Sequence, residues 1–126
     1  MKYKIVFIVL IQLICLTAQS QVDVPDSPEF ESASVIPGVT PAQVELKWAP
    51  SDSADVAGYY IFKVNNAGIT NYLDTVYGRF TTTYINTSSV ANGQTETYRL
   101  AAFDTLDNIS LLTDPHVTIY AFPYYD

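Results

Sequence analysis

Catalysis needs a base, a nucleophile or a metal centre, and this chain carries few of the side chains that make one. The single histidine, His116, follows Pro115 at the start of the last apolar stretch. A triad needs such a base held by a third group beside a nucleophile, and nothing in the spacing supplies one, so His116 reads as a lone surface residue. The single cysteine, Cys15, lies inside an N-terminal apolar run, which leaves no thiolate for a zinc site elsewhere; one histidine cannot make a catalytic zinc site without several carboxylates. Glycine motifs that cradle phosphate are absent. Paired carboxylates could cleave a glycosidic bond only across a cleft, and a domain of this size has little cleft to offer. The expectation is a protein without catalytic residues or a bound cofactor. One acidic pattern stands apart: Asp52 and Asp55 fall in one expected loop, and Asp104, Asp107 and Asp114 near another at the same end. Oxygen ligands converging from two loops would suit Ca²⁺, although the ordered spacing of an EF-hand is missing and solvated, turn-forming aspartates are the alternative.

Positioning these residues is the task of one small domain. The chain has 126 residues, six Lys and Arg against thirteen Asp and Glu, and a formal net charge of −7. That balance argues against a phosphate backbone or an anionic membrane surface as ligand. No nucleic acid is expected, and a membrane only through a partner.

At the N-terminus, Lys2 and Lys4 precede an apolar run from Ile5 to Leu16 broken by Gln12, and then Ala18-Gln19-Ser20. Roughly a dozen apolar residues fall short of the ~20 that span a bilayer, and small residues two apart are what a signal peptidase accepts. Residues 1–20 therefore read as a signal peptide cleaved after Ser20, and the protein as exported to periplasm, cell surface or medium. Cys15 follows Leu13-Ile14 where lipidation requires a small residue. Cleavage removes the only cysteine, so the exported chain must be held by core burial alone, which ~100 residues can achieve.

Residues 21–27 form an extended lead-in, and 28–122 the domain, with 123–126 a short aromatic tail. Phe30–Val35 reads as a weak edge strand before Pro37-Gly38. Val44, Leu46 and Trp48 alternate with Glu45 and Lys47, the clearest period-two pattern in the chain. Tyr59–Val64 is apolar on both faces; pairing with the Trp48 strand puts Tyr59 and Ile61 inward and Tyr60 and Phe62 outward. After the Asn65–Gly68 turn, Tyr72–Val76 and Thr81–Ile85 are further strands, with Tyr84 in the core. The stretch Glu96–Asp104 reads as a central strand with Tyr98, Leu100 and Ala102 buried on one face. His116–Phe122 closes the domain with Val117, Ile119 and Ala121 on one face. Seven short strands without a helical period mean an all-β, two-sheet antiparallel sandwich.

Leu46-Lys47-Trp48-Ala49-Pro50-Ser51, Asp55-Val56-Ala57-Gly58-Tyr59-Tyr60-Ile61, and Gly93 with Tyr98-Arg99-Leu100-Ala101-Ala102-Phe103-Asp104, Asn108 and Ser110 together resemble a bacterial fibronectin type III domain. The resemblance implies a seven-stranded immunoglobulin-like sandwich, with Trp48 as the core tryptophan of the second strand. It implies that Tyr98 pins a corner by bonding its hydroxyl back to the chain just upstream, and that Asp104 and Asn108 cap the last turn. The segment 88–97 is longer and more polar than the family's, which leaves open whether Val90 takes its core leucine position.

Two kinds of partner fit such a module, against the plain alternative that its aromatics simply cover the sandwich edge. Tyr60 and Phe62 on an outer face would dock against another protein of a cell-envelope or extracellular assembly. Alternatively Tyr120, Phe122, Tyr124 and Tyr125 would stack on a glycan, as in a carbohydrate-binding accessory module. Only Asp126 accompanies that tail, where sugar sites interleave several polar groups with aromatics, so protein contact is favoured. Finally, Asp52-Ser53-Ala54, Asp74-Thr75-Val76 and Asp104-Thr105-Leu106 resemble the acceptor triplet of a general O-glycosylation system in some Gram-negative bacteria. Asn86-Thr87-Ser88 and Asn108-Ile109-Ser110 match the N-glycosylation triplet of the eukaryotic secretory route.

Overall fold

The computed structural model describes residues 23–119; the expected signal peptide and the aromatic tail from Tyr120 onward lie outside them. Seven strands run β1 (Glu29–Val35), β2 (Val44–Ala49), β3 (Val56–Val64), β4 (Thr70–Tyr77), β5 (Thr83–Asn86), β6 (Thr97–Asp104) and β7 (His116–Val117). They form two antiparallel sheets, a three-stranded one ordered β1-β2-β5 and a four-stranded one ordered β4-β3-β6-β7. The all-β two-sheet sandwich expected from the alternation is the architecture found.

The inward residues of both sheets meet in one core of Phe30, Val44, Leu46, Trp48, Val56, Tyr59, Ile61, Tyr98, Leu100 and Ala102, with Ala91 from the β5–β6 connection. Trp48 meets Tyr59 edge-to-face at 5.4 Å, and each large side chain so removed from water contributes about 1.5–3 kcal/mol. The Trp48 Nε1–H is buried without a partner among the described residues. Tyr59 instead satisfies its hydroxyl, donating to the Arg79 carbonyl at 2.6 Å and accepting the Ser51 N–H at 3.0 Å. Burial pushes its pKa up, against the Ser51 N–H and the Arg79 charge. A buried tyrosine thus ties the β2–β3 loop to the β4–β5 loop.

Three expectations need correction, and the inward position left open at Val90 falls to its neighbour. Tyr84 is half-buried at the rim of the core, because its hydroxyl reaches out to Asp74 Oδ2 at 3.0 Å. Val90 is 48% exposed and Ala91 fully buried, so the longer β5–β6 connection shifts the inward position by one. Strand β6 is buried on one face only as far as Arg99; from Leu100 to Asp104 both faces are covered, since Phe103 stacks on Tyr60 with ring centroids 4.5 Å apart. In the last stretch the phase is inverted: Val117 is 53% and Ile119 84% exposed, while Thr118 is 1% exposed.

The inversion has a hydrogen-bonding cause. Along the outer edge of β6, three hydroxyl residues each serve one strand residue twice. Ser110 donates its N–H to the Ala102 carbonyl and accepts the Ala102 N–H at Oγ; Thr113 does the same for Leu100, and Thr118 for Glu96. Side-chain oxygens stand where a regular neighbour would place carbonyls. Only His116 and Val117 therefore count as strand, and Thr118 faces inward because its Oγ1 must reach Glu96.

Gly58 is required where β3 meets β6 with an irregular register. A Cβ there would stand 2.2 Å from the Val76 carbonyl oxygen and 2.7 Å from Phe103 Cζ, far inside contact distance.

Candidate functional site

The outer face of the four-stranded sheet carries an unbroken aromatic array. Alternation along β3 turns Tyr60 and Phe62 outward, opposite Tyr59 and Ile61, which are fully buried. Register then brings Tyr72 of β4 beside Phe62 and Tyr77 beside Gly58. That register depends on one irregularity: Ile61 pairs with Asp74 but Phe62 with Tyr72, leaving Leu73 as the extra residue of a bulge. Without it Tyr72 and Tyr77, five residues apart, would lie on opposite faces of the sheet. Phe103 of β6 completes the array over Gly58. Tyr60 contacts Phe62, Tyr72 and Phe103, with centroid separations of 6.5, 6.3 and 4.5 Å, and Phe103 meets Tyr77 edge-on at 6.0 Å. Tyr60 and Phe62 are half-buried by their neighbours, whereas Tyr72 is 61% and Tyr77 75% exposed.

Sequence reasoning named Tyr60 and Phe62 and missed Tyr72, Tyr77 and Phe103. Phe103 was open to inference, since it lies on the opposite parity from Tyr98, Leu100 and Ala102. Tyr72 and Tyr77 were not, because the bulge cannot be read from spacing. Tyr120, Phe122, Tyr124 and Tyr125 lie outside the described residues.

Charge around this face is one-sided. Each of the four cations in the described residues is held within the domain. Lys47 pairs with Glu45 at 3.1 Å, Lys63 with Glu96 at 2.5 Å, and Arg99 Nε donates to the Thr113 carbonyl at 2.8 Å. Arg79 Nε donates to the Ser51 carbonyl at 3.0 Å, and its guanidinium lies over the Phe80 ring at 5.0 Å. The remaining exposed charges are carboxylates.

A second feature, unforeseen in the sequence, is a polar hub inside the domain. Glu96 has a side chain only 1% exposed. Its carboxylate accepts from Lys63 Nζ, the Tyr98 hydroxyl at 2.6 Å, Ser89 Oγ at 2.7 Å and the Val90 N–H at 3.0 Å. Burial alone would raise its pKa, but Lys63, Tyr98, Val90 and Ser89 together hold it below the usual glutamate range. Tyr98 also accepts from Asn86 Nδ2 at 2.9 Å, and burial, with the Glu96 carboxylate next, pushes its own pKa up. The hydroxyl of Tyr98 therefore reaches the upstream chain through side chains, Glu96 and Asn86, where the resemblance implied a direct bond. The only signal in the sequence was a glutamate two residues before that tyrosine.

The calcium alternative draws no support from the geometry of the described residues. No group of three or more His, Cys, Asp or Glu side chains among the described residues is placed to hold a metal ion. Asp104, 2% exposed, spends both oxygens inside its own turn: Oδ1 accepts the N–H of Leu106 and Asn108 at 2.8 and 2.9 Å, and Oδ2 accepts Asn108 Nδ2 at 2.8 Å. The Asn108 side chain, ahead of a smaller opposing effect of burial, holds its pKa below the usual range. Asp107 takes a left-handed backbone at φ 64° in that turn, and Asp114 follows Thr113, whose N–H bonds back to Leu100 well along β6. Asp52 and Asp55 are exposed in the β2–β3 loop. Asp104 and Asn108 thus cap the turn after β6, as the resemblance implied.

His116 is half-buried and stacked on Phe30, ring centroids 4.4 Å apart. The pair floors a groove of about 410 Å³ between the lead-in and the β6–β7 connection, with Glu29, Leu111, Leu112 and Asp114 along its sides.

No known protein family matches the sequence, and no curated protein matches it either. Solved structures share the fold. A β-1,2-glucanase from Parabacteroides distasonis superposes with a TM-score of 0.61 at 17% identity, over 82% of this chain and 14% of the glucanase. The spore cortex lytic enzyme SleM of Clostridium perfringens gives 0.55 at 18% identity, over 75% of this chain and 28% of SleM. Pectate lyase Pel3 of Pectobacterium carotovorum gives 0.51 at 11% identity, over 71% of this chain and 26% of Pel3. At such identities the likeness is one of fold: a small all-β two-sheet domain similar to parts of carbohydrate-active enzymes, and spanning a minor share of each.

Proposed function

We propose that the chain is a non-catalytic, exported binding module of the fibronectin type III kind, which docks through the outer aromatic face of its four-stranded sheet onto another protein of an envelope or extracellular assembly. The strand order β1-β2-β5 over β4-β3-β6-β7 supports the family reading. The array Tyr60, Phe62, Tyr72, Tyr77 and Phe103 carries the functional one. Tyr72 and Tyr77 stand in solvent beside the half-buried Tyr60 and Phe62 and the buried Phe103, and an aromatic patch of that kind is what a soluble surface avoids and an interface core uses. Phe103 stacks on Tyr60 and the other contacts are edge-to-face, so the rings are largely engaged with one another, which suits a side-chain mosaic better than a sugar ring. With every cation of the described residues engaged internally, the complementary surface is apolar at its centre and basic at its rim.

The test compares wild-type protein with Tyr72→Lys/Tyr77→Lys as bait against envelope extract. Both residues are exposed, so the double variant keeps its melting temperature. A partner held by wild type and lost by the variant, with association slowed by added salt, supports the reading; a partner held equally by both refutes it.

A second reading, carbohydrate binding, rests on the Phe30–His116 groove, where an aromatic floor meets the Glu29 and Asp114 carboxylates. Binding to a glycan array that is lost in His116→Ala and retained in Tyr72→Lys/Tyr77→Lys would favour it.

A further inference from the structure

The three Asp–Ser/Thr–aliphatic triplets occupy different surroundings. Ser53 is half-buried and its Oγ accepts the Asp26 N–H at 2.8 Å, so a substituent there would break the clamp between lead-in and β2–β3 loop. Thr75 lies within β4 opposite Tyr60, with Oγ1 2.8 Å from the Tyr72 hydroxyl. Thr105 differs from both. It is exposed at the first position of the turn after β6, and its hydroxyl makes no hydrogen bond to another described residue.

The turn divides the triplet by role. Asp104 is folded inward and holds the N–H groups of Leu106 and Asn108, which fixes Thr105 at the apex. Leu106 is 80% exposed, an apolar side chain that the turn itself does not use. Thr105 and Leu106 are therefore presented together on a rigid support. Neither N-linked triplet is presented in this way: Asn86 is 3% exposed and donates its amide to Tyr98, and Asn108 donates its amide to Asp104.

We propose that Thr105 is an O-glycosylation site, modified in the compartment to which the chain is exported. The Thr105 Oγ attacks the anomeric carbon of a sugar carried on a diphosphate-linked donor. The new bond is Oγ–C1, the bond from C1 to the phosphate oxygen breaks, the diphosphate leaves with the electron pair, and the hydroxyl proton passes to a base of the glycosyltransferase. The inference rests on the export reading above.

The basic residues make the test direct. Trypsin, cutting after Lys47, Lys63, Arg79 and Arg99, places Ser53 on fragment 48–63, Thr75 on 64–79 and Thr105 on 100–126. In protein purified from the envelope or medium of its own source, fragment 100–126 is expected to carry a glycan mass and the other two their bare masses. Thr105→Val should remove that mass and Thr105→Ser retain it, both without loss of folding since the side chain is exposed. A bare 100–126 fragment on a chain beginning at Gln21 overturns the proposal and leaves export standing, as does a glycan confined to Ser53 or Thr75. A mature chain still beginning at Met1 overturns the export reading and the proposal with it.

Discussion

Glu96 is the residue whose replacement best tests how this domain is held together. Its carboxylate is 1% exposed and accepts four hydrogen bonds. Glu96→Ala removes the acceptor and strands its donors unequally. Lys63 is 31% exposed and turns to water, so its share is discounted; the Val90 N–H, next to an exposed side chain, rehydrates too. Ser89 is 5% exposed and Tyr98 fully buried, and a buried hydroxyl left unpaired costs about 1–3 kcal/mol. The expected loss is about 3–5 kcal/mol, a large part of the ~5–15 kcal/mol that holds a domain together. Glu96→Gln, whose amide oxygen keeps two donors while its NH₂ faces the others, should lose about 2 kcal/mol.

The pH dependence follows from the sign of the shift. Glu96 is held below its ordinary value of 4.5, so its contribution is fully present above that value and is lost as pH falls through the folded-state pKa. Urea denaturation followed by the fluorescence of Trp48 measures both effects. Wild type should lose stability more steeply than Glu96→Gln between pH 6 and the acid limit of folding, with equal m-values. A cost under about 1 kcal/mol for Glu96→Ala, or parallel pH profiles for wild type and Glu96→Gln, would refute the assignment of a charged, bond-saturated hub.

Other perturbations probe separate links. Gly58→Ala, which would place a methyl 2.2 Å from the Val76 carbonyl oxygen, should destabilise by about 2–4 kcal/mol, read as a lowered melting temperature. Thr113→Val keeps shape but deletes the acceptor of the Leu100 N–H; a loss of about 1–3 kcal/mol is expected, and hydrogen exchange should quicken at the Leu100 amide while the Tyr59 amide stays protected. Tyr84 has its pKa pushed up to about 12 by burial, then by its hydrogen bond to Asp74 and the Asp74 charge. In spectrophotometric titration Asp74→Asn should bring one tyrosine to a lower pH, and an unchanged curve would contradict the contact.

The architecture was legible because it rests on alternation. Val44, Leu46 and Trp48 against Glu45 and Lys47 declare an inner face whatever pairs with them, and the remaining strands were marked by apolar runs between turn signals. What escaped was set by contacts between distant residues. The last strand was read as an ordinary period-two ladder, whereas Ser110, Thr113 and Thr118 replace backbone acceptors by hydroxyls and reverse the phase. A glutamate at the start of a strand looks solvated; Glu96 is buried because β3 and the β5–β6 connection bring donors to it. Clustered aspartates look alike whether they chelate or cap, and only the amides facing Asp104 decide. Of the aromatic face, Tyr60 and Phe62 were readable from parity, but Tyr72 and Tyr77 depend on the extra residue Leu73.

The proposed docking face competes with the other way a small sandwich recruits a partner, addition of a strand to an exposed edge. Each edge here is blunted, by acidic side chains, short length, broken register or a committed main-chain donor. Strand β1 carries Glu29 and Glu31 and loses register between Phe30 and Ser32. Strand β5 has four residues and β7 two, the latter beside a segment whose hydroxyls are committed to β6. Strand β4 is longer, with eight residues, but it carries the bulge at Leu73, and Asp74 Oδ1 takes the Thr75 N–H at 2.7 Å, occupying a main-chain donor in mid-strand. Guarded edges beside a sheet face from which Tyr72 and Tyr77 project favour the proposed contact through side chains. A partner bound through the face should therefore be lost on Tyr72→Lys/Tyr77→Lys and kept on Asp74→Ala, which uncovers the β4 edge; the opposite pattern in the same bait experiment would assign recognition to the backbone.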